Sequence, residues 1–297
     1  MDSYKQARAK PCAKPLKNLT GTWSSFLILV SILLVSLGQQ ALAQQPAKST
    51  PNSSSKLPSR FPSSKTANLP SNPSNNVQQL LSAGQTAQNA GRFDEAIAIY
   101  NRVIALSSNN PQNAALANLR IGNAYMVQRK FENAAIGYQR ATTLNPDYAE
   151  AYNNLGEALG ELKQYPRAIE AFNKAFVLDP TLLKAKYNQA VTYDRMGNFR
   201  YSEFVFRNLI KSSPEYSLAY DGLAVTLSKA GRAKEAIAFH ERAIALDPRE
   251  PSYYFNCAIS YLMLKNTAKA LEQQEKLKAI DPAIADRLAS VIVKRQM

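Results

Sequence analysis

The sequence predicts an all-α solenoid, a stack of antiparallel helix pairs, and three observations carry that prediction. Pro146, Pro180, Pro214, Pro248 and Pro282 stand 34 residues apart. A fixed period of this length belongs to repeated helix pairs, each of which buries its apolar face only against its neighbours. One small column recurs in every period: Gly84, Gly122, Gly156, Ala190, Ala224 and Ala258. A second follows 12 residues later: Ala96, Ala134, Ala168, Ser202, Ala236 and Ala270. Small residues on two consecutive helices are what close antiparallel packing requires. The expected architecture is a solenoid of six helix-turn-helix units closed by a C-terminal capping helix.

Taken in chain order, residues 1–43 read as an export signal. A basic stretch leads into the apolar run from Phe26 to Leu37, and Ala41-Leu42-Ala43 offers the small-x-small pattern of a cleavage site. The run is short of the ~20 residues that span a bilayer. Cleavage after Ala43 places the protein in the periplasm or outside the cell, and the rival reading is an uncleaved membrane anchor. Residues 44–76 are rich in Ser, Pro and Asn, with Lys48, Lys56, Arg60 and Lys65 and no acid. Such a composition cannot offset its ordering entropy by burial, so a disordered basic linker is expected. The linker is either a plain tether or a peripheral contact to an anionic membrane or wall.

The chain has a net charge of +14. Residues 1–43 and 44–76 contribute +4 each, leaving +6 spread over the repeats. A basic face that tracks phosphate is therefore not expected on the folded part, and nucleic acid is not an expected partner.

The six units are expected over 77–114, 115–148, 149–182, 183–216, 217–250 and 251–284. The first is longer because Ser107-Ser108-Asn109-Asn110-Pro111 stretches its closing turn. An aromatic column lies four residues after the second small one: Tyr100, Tyr138, Phe172 and Phe206, then His240 and Gln274. Phe93, Phe131, Tyr165 and Phe199 open the second helices. Gly91, Gly197 and Gly231 suit left-handed C-caps, and Pro166 suits a helix start. Two units depart from the pattern. The fourth has Lys186 and Gln189 where its neighbours carry an aromatic and an apolar residue, which predicts a softer joint. The sixth has Thr267 and Gln274 in place of aromatics, as the end of a stack. The helix expected over 285–297 then offers Leu288, Val291 and Ile292 on one face as a cap.

Tyr152, Leu155-Gly156, Leu159, Ala168, Phe172, Ala175 and Pro180 resemble the tetratricopeptide repeat pattern, and the resemblance covers residues 77 to about 284. It implies a right-handed superhelix whose first helices line a concave groove for a protein or peptide partner. The residue two before each small column then points inward: Ser82, Arg120, Asn154, Asn188, Gly222 and Asn256. Two readings of the asparagines stand open. Either they form an amide ladder along an extended peptide, since each amide offers donor and acceptor, or they face water. The same face is implied to hold Asn123, Glu157, Lys184 and Tyr187, with Glu150, Asn153, Glu161, Asp194 and Arg195 beside them. Phe255, Ile259, Leu262 and Met263 form an apolar strip that is either groove surface or covered by the cap helix. Arg120, Asn123, Asn154, Lys184 and Asn188 approach the carboxylate clamp of chaperone-binding members but lack its leading lysine.

No catalytic, cofactor or metal site is expected. There is no phosphate-binding glycine loop, no HExxH and no CxxC. His240, the one histidine, sits in an aromatic column and reads as a packing residue, and Cys257 as a small buried one. The function implied is a non-enzymatic, exported interaction module that serves assembly, scaffolding or escort in the cell envelope. The alternatives are a structural adaptor tethered through the basic linker and a non-catalytic accessory subunit.

Overall fold

The computed structural model describes residues 77–296, which lie in one compact unit. The expected signal at 1–43 and linker at 44–76 lie outside the described residues. Among those residues there are thirteen α-helices and no strand. They are α1 (Val77–Asn89), α2 (Phe93–Leu106), α3 (Pro111–Val127), α4 (Phe131–Leu144), α5 (Ala149–Glu161), α6 (Tyr165–Leu178) and α7 (Leu183–Arg195). There follow α8 (Phe199–Ser212), α9 (Ser217–Lys229), α10 (Ala233–Leu246), α11 (Pro251–Met263), α12 (Thr267–Lys278) and α13 (Pro282–Gln296). The odd-numbered helices α1 to α11 are the first helices of six units. First helices of successive units touch one another, whereas second helices do not, so the first helices form the inner layer and the second helices the outer one.

The recurrent Asn/Asp-Pro phrase is a turn device. Asn145, Asp179 and Asp247 each accept, through Oδ1, the backbone N–H two residues on, at 3.2, 2.9 and 3.2 Å. This side-chain turn reverses the chain while the proline blocks further helix. The stretch 107–111 departs from expectation. Its closing turn stays short, because Asn110 caps Asn113 N–H at 3.0 Å and Pro111 opens α3. The four additional residues lengthen α3 to 17 residues rather than stretching the loop.

The turn between the helices of each unit holds one residue in the left-handed region. Gly91, Gly197 and Gly231 do so at φ 73°, 74° and 81°. Arg129, Lys163 and Lys265 occupy the same column at φ 57°, 59° and 60°. Three units therefore carry backbone strain where the others carry glycine.

The two small columns and the aromatic column form one packing device. A Cβ added to Gly84, Gly122 or Gly156 would stand 2.5, 2.5 or 2.6 Å from the ring of Tyr100, Tyr138 or Phe172 of the same unit. Where the column holds Ala190, the ring of the unit leans onward. A Cβ at Gly222, in the next unit, would stand 2.5 Å from Phe206 and 3.2 Å from Tyr187. Gly222 is thus a buried packing position and not part of an inward-facing surface.

The apolar core is not continuous. One cluster runs from Leu80 to Phe172, a second from Ala190 to Ala236 and a third from Tyr254 to Ile292. Polar seams lie at both breaks. At the first, buried Gln189 donates to Asn173 Oδ1 at 2.8 Å, and Lys186 Nζ donates to Gln189 Oε1 at 2.9 Å. At the second, His240, Asp221, Ser228 and Ser260 are all buried. The last cluster is closed by α13, which buries Ala285, Leu288 and Ile292.

Two glycines of α5 test the packing device by identical substitution. Gly156→Ala drives a methyl into Phe172 and lowers stability by about 1–3 kcal/mol. Gly160→Ala meets nothing within 4 Å and is neutral or stabilising by up to about 1 kcal/mol. Urea unfolding midpoints distinguish the two.

Candidate partner-binding site

The inner layer carries a chain of polar contacts that runs from unit to unit. Asn123 Oδ1 on α3 accepts from Tyr138 Oη at 2.8 Å and from Asn154 Nδ2 on α5 at 3.2 Å. Asn153 Nδ2 donates to Asn154 Oδ1 at 3.1 Å and to Glu157 Oε1 at 3.0 Å. Asn188 Nδ2 on α7 donates to Asn153 Oδ1 at 3.1 Å and to Glu157 Oε1 at 2.9 Å, and Lys184 Nζ reaches Glu157 Oε1 at 2.8 Å. Arg195 pairs with Glu161 at 2.8 Å, and Lys229 on α9 pairs with Asp194. Asn256 Nδ2 on α11 donates to Asp221 Oδ2 on α9 at 2.9 Å.

The amides of Asn154, Asn188 and Asn256 therefore donate to the preceding unit. They form an internal ladder that ties first helices together, a contact that neither reading from sequence included. Asn188 spends both of its side-chain N–H donors in this way, whereas Asn154 and Asn256 each spend one of two. Glu157 is the hub of the ladder, gathering Asn153, Asn188 and Lys184 on one oxygen.

The other expected groove residues divide between packing and surface. Arg120 is half-buried on α3, within electrostatic reach of the Tyr100 and Tyr148 hydroxyls. Tyr187 packs edge-on against Phe206 and Tyr216, with centroids at 5.6 and 6.4 Å. Burial, reinforced by Asp221, pushes its hydroxyl up to about 12. Phe255 and Ile259 pack onto the terminal cluster together with buried Leu262, so most of the apolar strip is covered by the cap. Met263 stays 41% exposed.

An open cleft lies on this layer. It has a volume of about 570 Å³ and spans units two to four. Glu157, Lys184 and Asn188 line it, as do Met126, Val127 and Arg129, which the sequence reading did not single out. Val127 is 63% exposed. Arg129, in its left-handed turn, lies 5.6 Å above the Phe131 ring. The one sequence signal for Arg129 was its position in the glycine column of the turn.

His240 is fully buried, and its surroundings have the order of a nucleophilic triad. Nδ1 lies 2.7 Å from Asp221 Oδ1 and Nε2 lies 3.1 Å from Ser260 Oγ. Ser260 is 1% exposed and is also bonded to Ser228 Oγ at 2.8 Å. A substrate carbonyl has no approach to that oxygen, so the group serves as a polar core network. Cys257 is a free, buried thiol that burial pushes up to about 12, which makes it a poor nucleophile. Among the described residues no cluster of His, Cys, Asp or Glu could hold a metal, and no helix is long and apolar enough to cross a membrane.

Residues 122–163 match a family model described as TPR repeat, and residues 149–182 one described as Tetratricopeptide repeat. Another model of that description matches residues 81–141 and 187–251. The chain is 26% identical over 162 residues to anaphase-promoting complex subunit 3 of Schizosaccharomyces pombe, covering 54% of this chain and 24% of that protein. It is 28% identical over 125 residues to small glutamine-rich tetratricopeptide repeat-containing protein 2 of Mycosarcoma maydis, covering 41% of this chain and 34% of that one. The chain thus matches only a quarter to a third of the length of these relatives. Among solved structures, PilW, a type IV pilus biogenesis factor, superposes with a TM-score of 0.60 at 21% identity, covering 73% of this chain and 98% of that one. A tetratricopeptide repeat protein of Parabacteroides merdae gives 0.60 at 21% identity, covering 75% and 86%. These two likenesses show the fold alone.

The buried seam yields a coupled prediction. Asp221→Ala removes the acceptor of His240 and Asn256 and costs about 2–4 kcal/mol. Asp221→Leu combined with His240→Phe exchanges the pair for apolar groups and recovers most of that loss. A double-mutant cycle read by urea midpoints checks both values.

Proposed function

The chain belongs to the tetratricopeptide repeat family, whose members are typically protein-interaction scaffolds, and from that premise we propose that it is an exported, non-enzymatic module that holds a peptide segment of a partner in the inner cleft of units two to four. The observation that carries this reading is the cleft itself. It joins exposed Val127 to Lys184 and Arg129, so an apolar side chain and a polar backbone find complementary groups within one space. The ladder beneath fixes the walls before a partner arrives, which lowers the ordering cost of binding. The segment at 1–43 delivers the module across the membrane, and its task there is assembly, scaffolding or escort of envelope proteins. The linker at 44–76 gives the repeats reach, on the order of 100 Å when extended.

Peptides selected on the full chain from a displayed library test the cleft. Val127→Glu, at a site too exposed to disturb folding, weakens the selected peptides by at least about tenfold. Selected peptides that bind the variant as well as the parent would refute the site. N-terminal sequencing of protein exported from a Gram-negative host tests delivery, with Gln44 expected as the first residue. Retention of Met1–Ala43 would show the anchor instead.

A further inference from the structure

The outer face of unit four differs from that of every other unit, and its differences converge on one place. Ser212 stands where the other units have Leu106, Leu144, Leu178, Leu246 and Ile280. Asn208 stands where they have Arg102, Arg140, Lys174, Arg242 and Lys276. Lys186 replaces the tyrosine of units three, five and six. Phe204 takes a column otherwise held by Ala98, Ile136, Glu170, Ala238 and Glu272. Lys186, Phe204, Asn208 and Ser212 all line one pocket of about 260 Å³, with Phe176, Val205 and Leu209 as its remaining walls.

The corresponding columns of unit three, Tyr152, Glu170, Ala171 and Lys174, also border a pocket, of about 500 Å³, so what sets unit four apart is the chemistry of its walls. Asn208 removes the cation that every other unit carries on its rim. Phe204 is 62% exposed, and Tyr201, one turn before it, is 58% exposed where the other units have only polar residues. Tyr201 is held upright by stacking on Tyr193 at 5.5 Å. Two exposed aromatic rings side by side cost solvation free energy unless something covers them.

Lys186 supplies the charge. Its Nζ lies 5.1 Å from the Phe176 ring centroid and donates only to the neutral amides of Asn173 and Gln189, at 3.4 and 2.9 Å. Burial lowers the pKa of this amine, because a half-buried ammonium is poorly solvated. An incoming carboxylate would offset that cost. The volume equals roughly nine waters, enough for one apolar side chain and too little for a folded element.

We propose that this pocket is a second docking site, on the outer face and separate from the inner cleft, for a partner protein segment that presents one apolar anchor residue beside an aspartate or glutamate. The anchor sits between Phe176 and Phe204, and its neighbouring carboxylate pairs with Lys186. The site does not depend on the peptide reading of the inner cleft.

A displayed peptide library selected on the full-length Val127→Glu variant, whose inner cleft is blocked, tests it. Enriched peptides should carry an apolar residue within two positions of an acid. Phe204→Ser should weaken them by at least about tenfold. Lys186→Met should leave apolar recognition in place while abolishing the preference for acidic over amidated peptides and its salt dependence. Unchanged thermal melts of both variants keep the readout on binding. The proposal is overturned if no such motif is enriched, or if enriched peptides bind Phe204→Ser undiminished. It is equally overturned if this face serves self-association, seen as a dimer in sedimentation that Phe204→Ser dissolves, or if the chain binds phosphatidylglycerol vesicles through it.

Discussion

The packing of units one to four depends on an aromatic ring of the second helix lying on the backbone of a first helix. At Gly122 the ring of Tyr138 occupies the volume a Cβ would need, within 2.5 Å. That contact sets the distance between the two helices of a unit, and the unit-to-unit distance follows because the same first helix must also receive its neighbours. The small residues at Ala96, Ala134 and Ala168 complete the approach, each with no exposed surface. In unit four the column holds Ala190, and the ring is shared with the next unit. Phe206 lies edge-on to Tyr187 of its own unit at 5.6 Å and also fills the space beside Gly222 of the next, so one ring joins the two units.

The polar seams follow from the same geometry. A stack of this kind has no single core, only a series of interfaces, and each interface may be apolar or polar so long as its groups are paired. Gln189, Lys186 and Asn173 satisfy one another at the first break, and Asp221, His240, Asn256 and Ser260 at the second. Networks of this type are weak sources of net stability but demand one arrangement of their members. The inner ladder of Asn123, Asn154, Asn153, Asn188 and Glu157 acts likewise on the first helices, fixing the curvature of the inner face.

The fold was legible because its causes are periodic. Thirty-four-residue columns of Gly, Ala and aromatics encode helix spacing directly, and Asp179-Pro180 encodes the turn. The site was less legible for two reasons. Asn154, Asn188 and Asn256 stand in a column that faces inward, but column position does not say whether an amide finds its partner in the next unit or in solvent. That depends on distances near 3 Å that only the curvature of the stack decides. Arg129 was hidden for the opposite reason, since it occupies a turn column whose period was recognised through glycine alone. Likewise the 17-residue α3 absorbed four residues that the spacing assigned to a loop.

A repeat array also carries its own control experiment, because every unit solves the same packing problem. A residue that departs from its column without a packing cause marks a different selective demand. Gln274 at the end of the stack has such a cause, since α13 follows where a seventh unit would begin. Ser212, Asn208 and Phe204 have none in the packing of unit four, whereas Lys186 is tied into the polar seam with Gln189 and Asn173. Phe204 exposes a ring, which costs solvation free energy in the free protein. Three departures without a packing cause, gathered with Lys186 around one pocket, are more economically explained by a ligand for that pocket than by independent accidents of the fold.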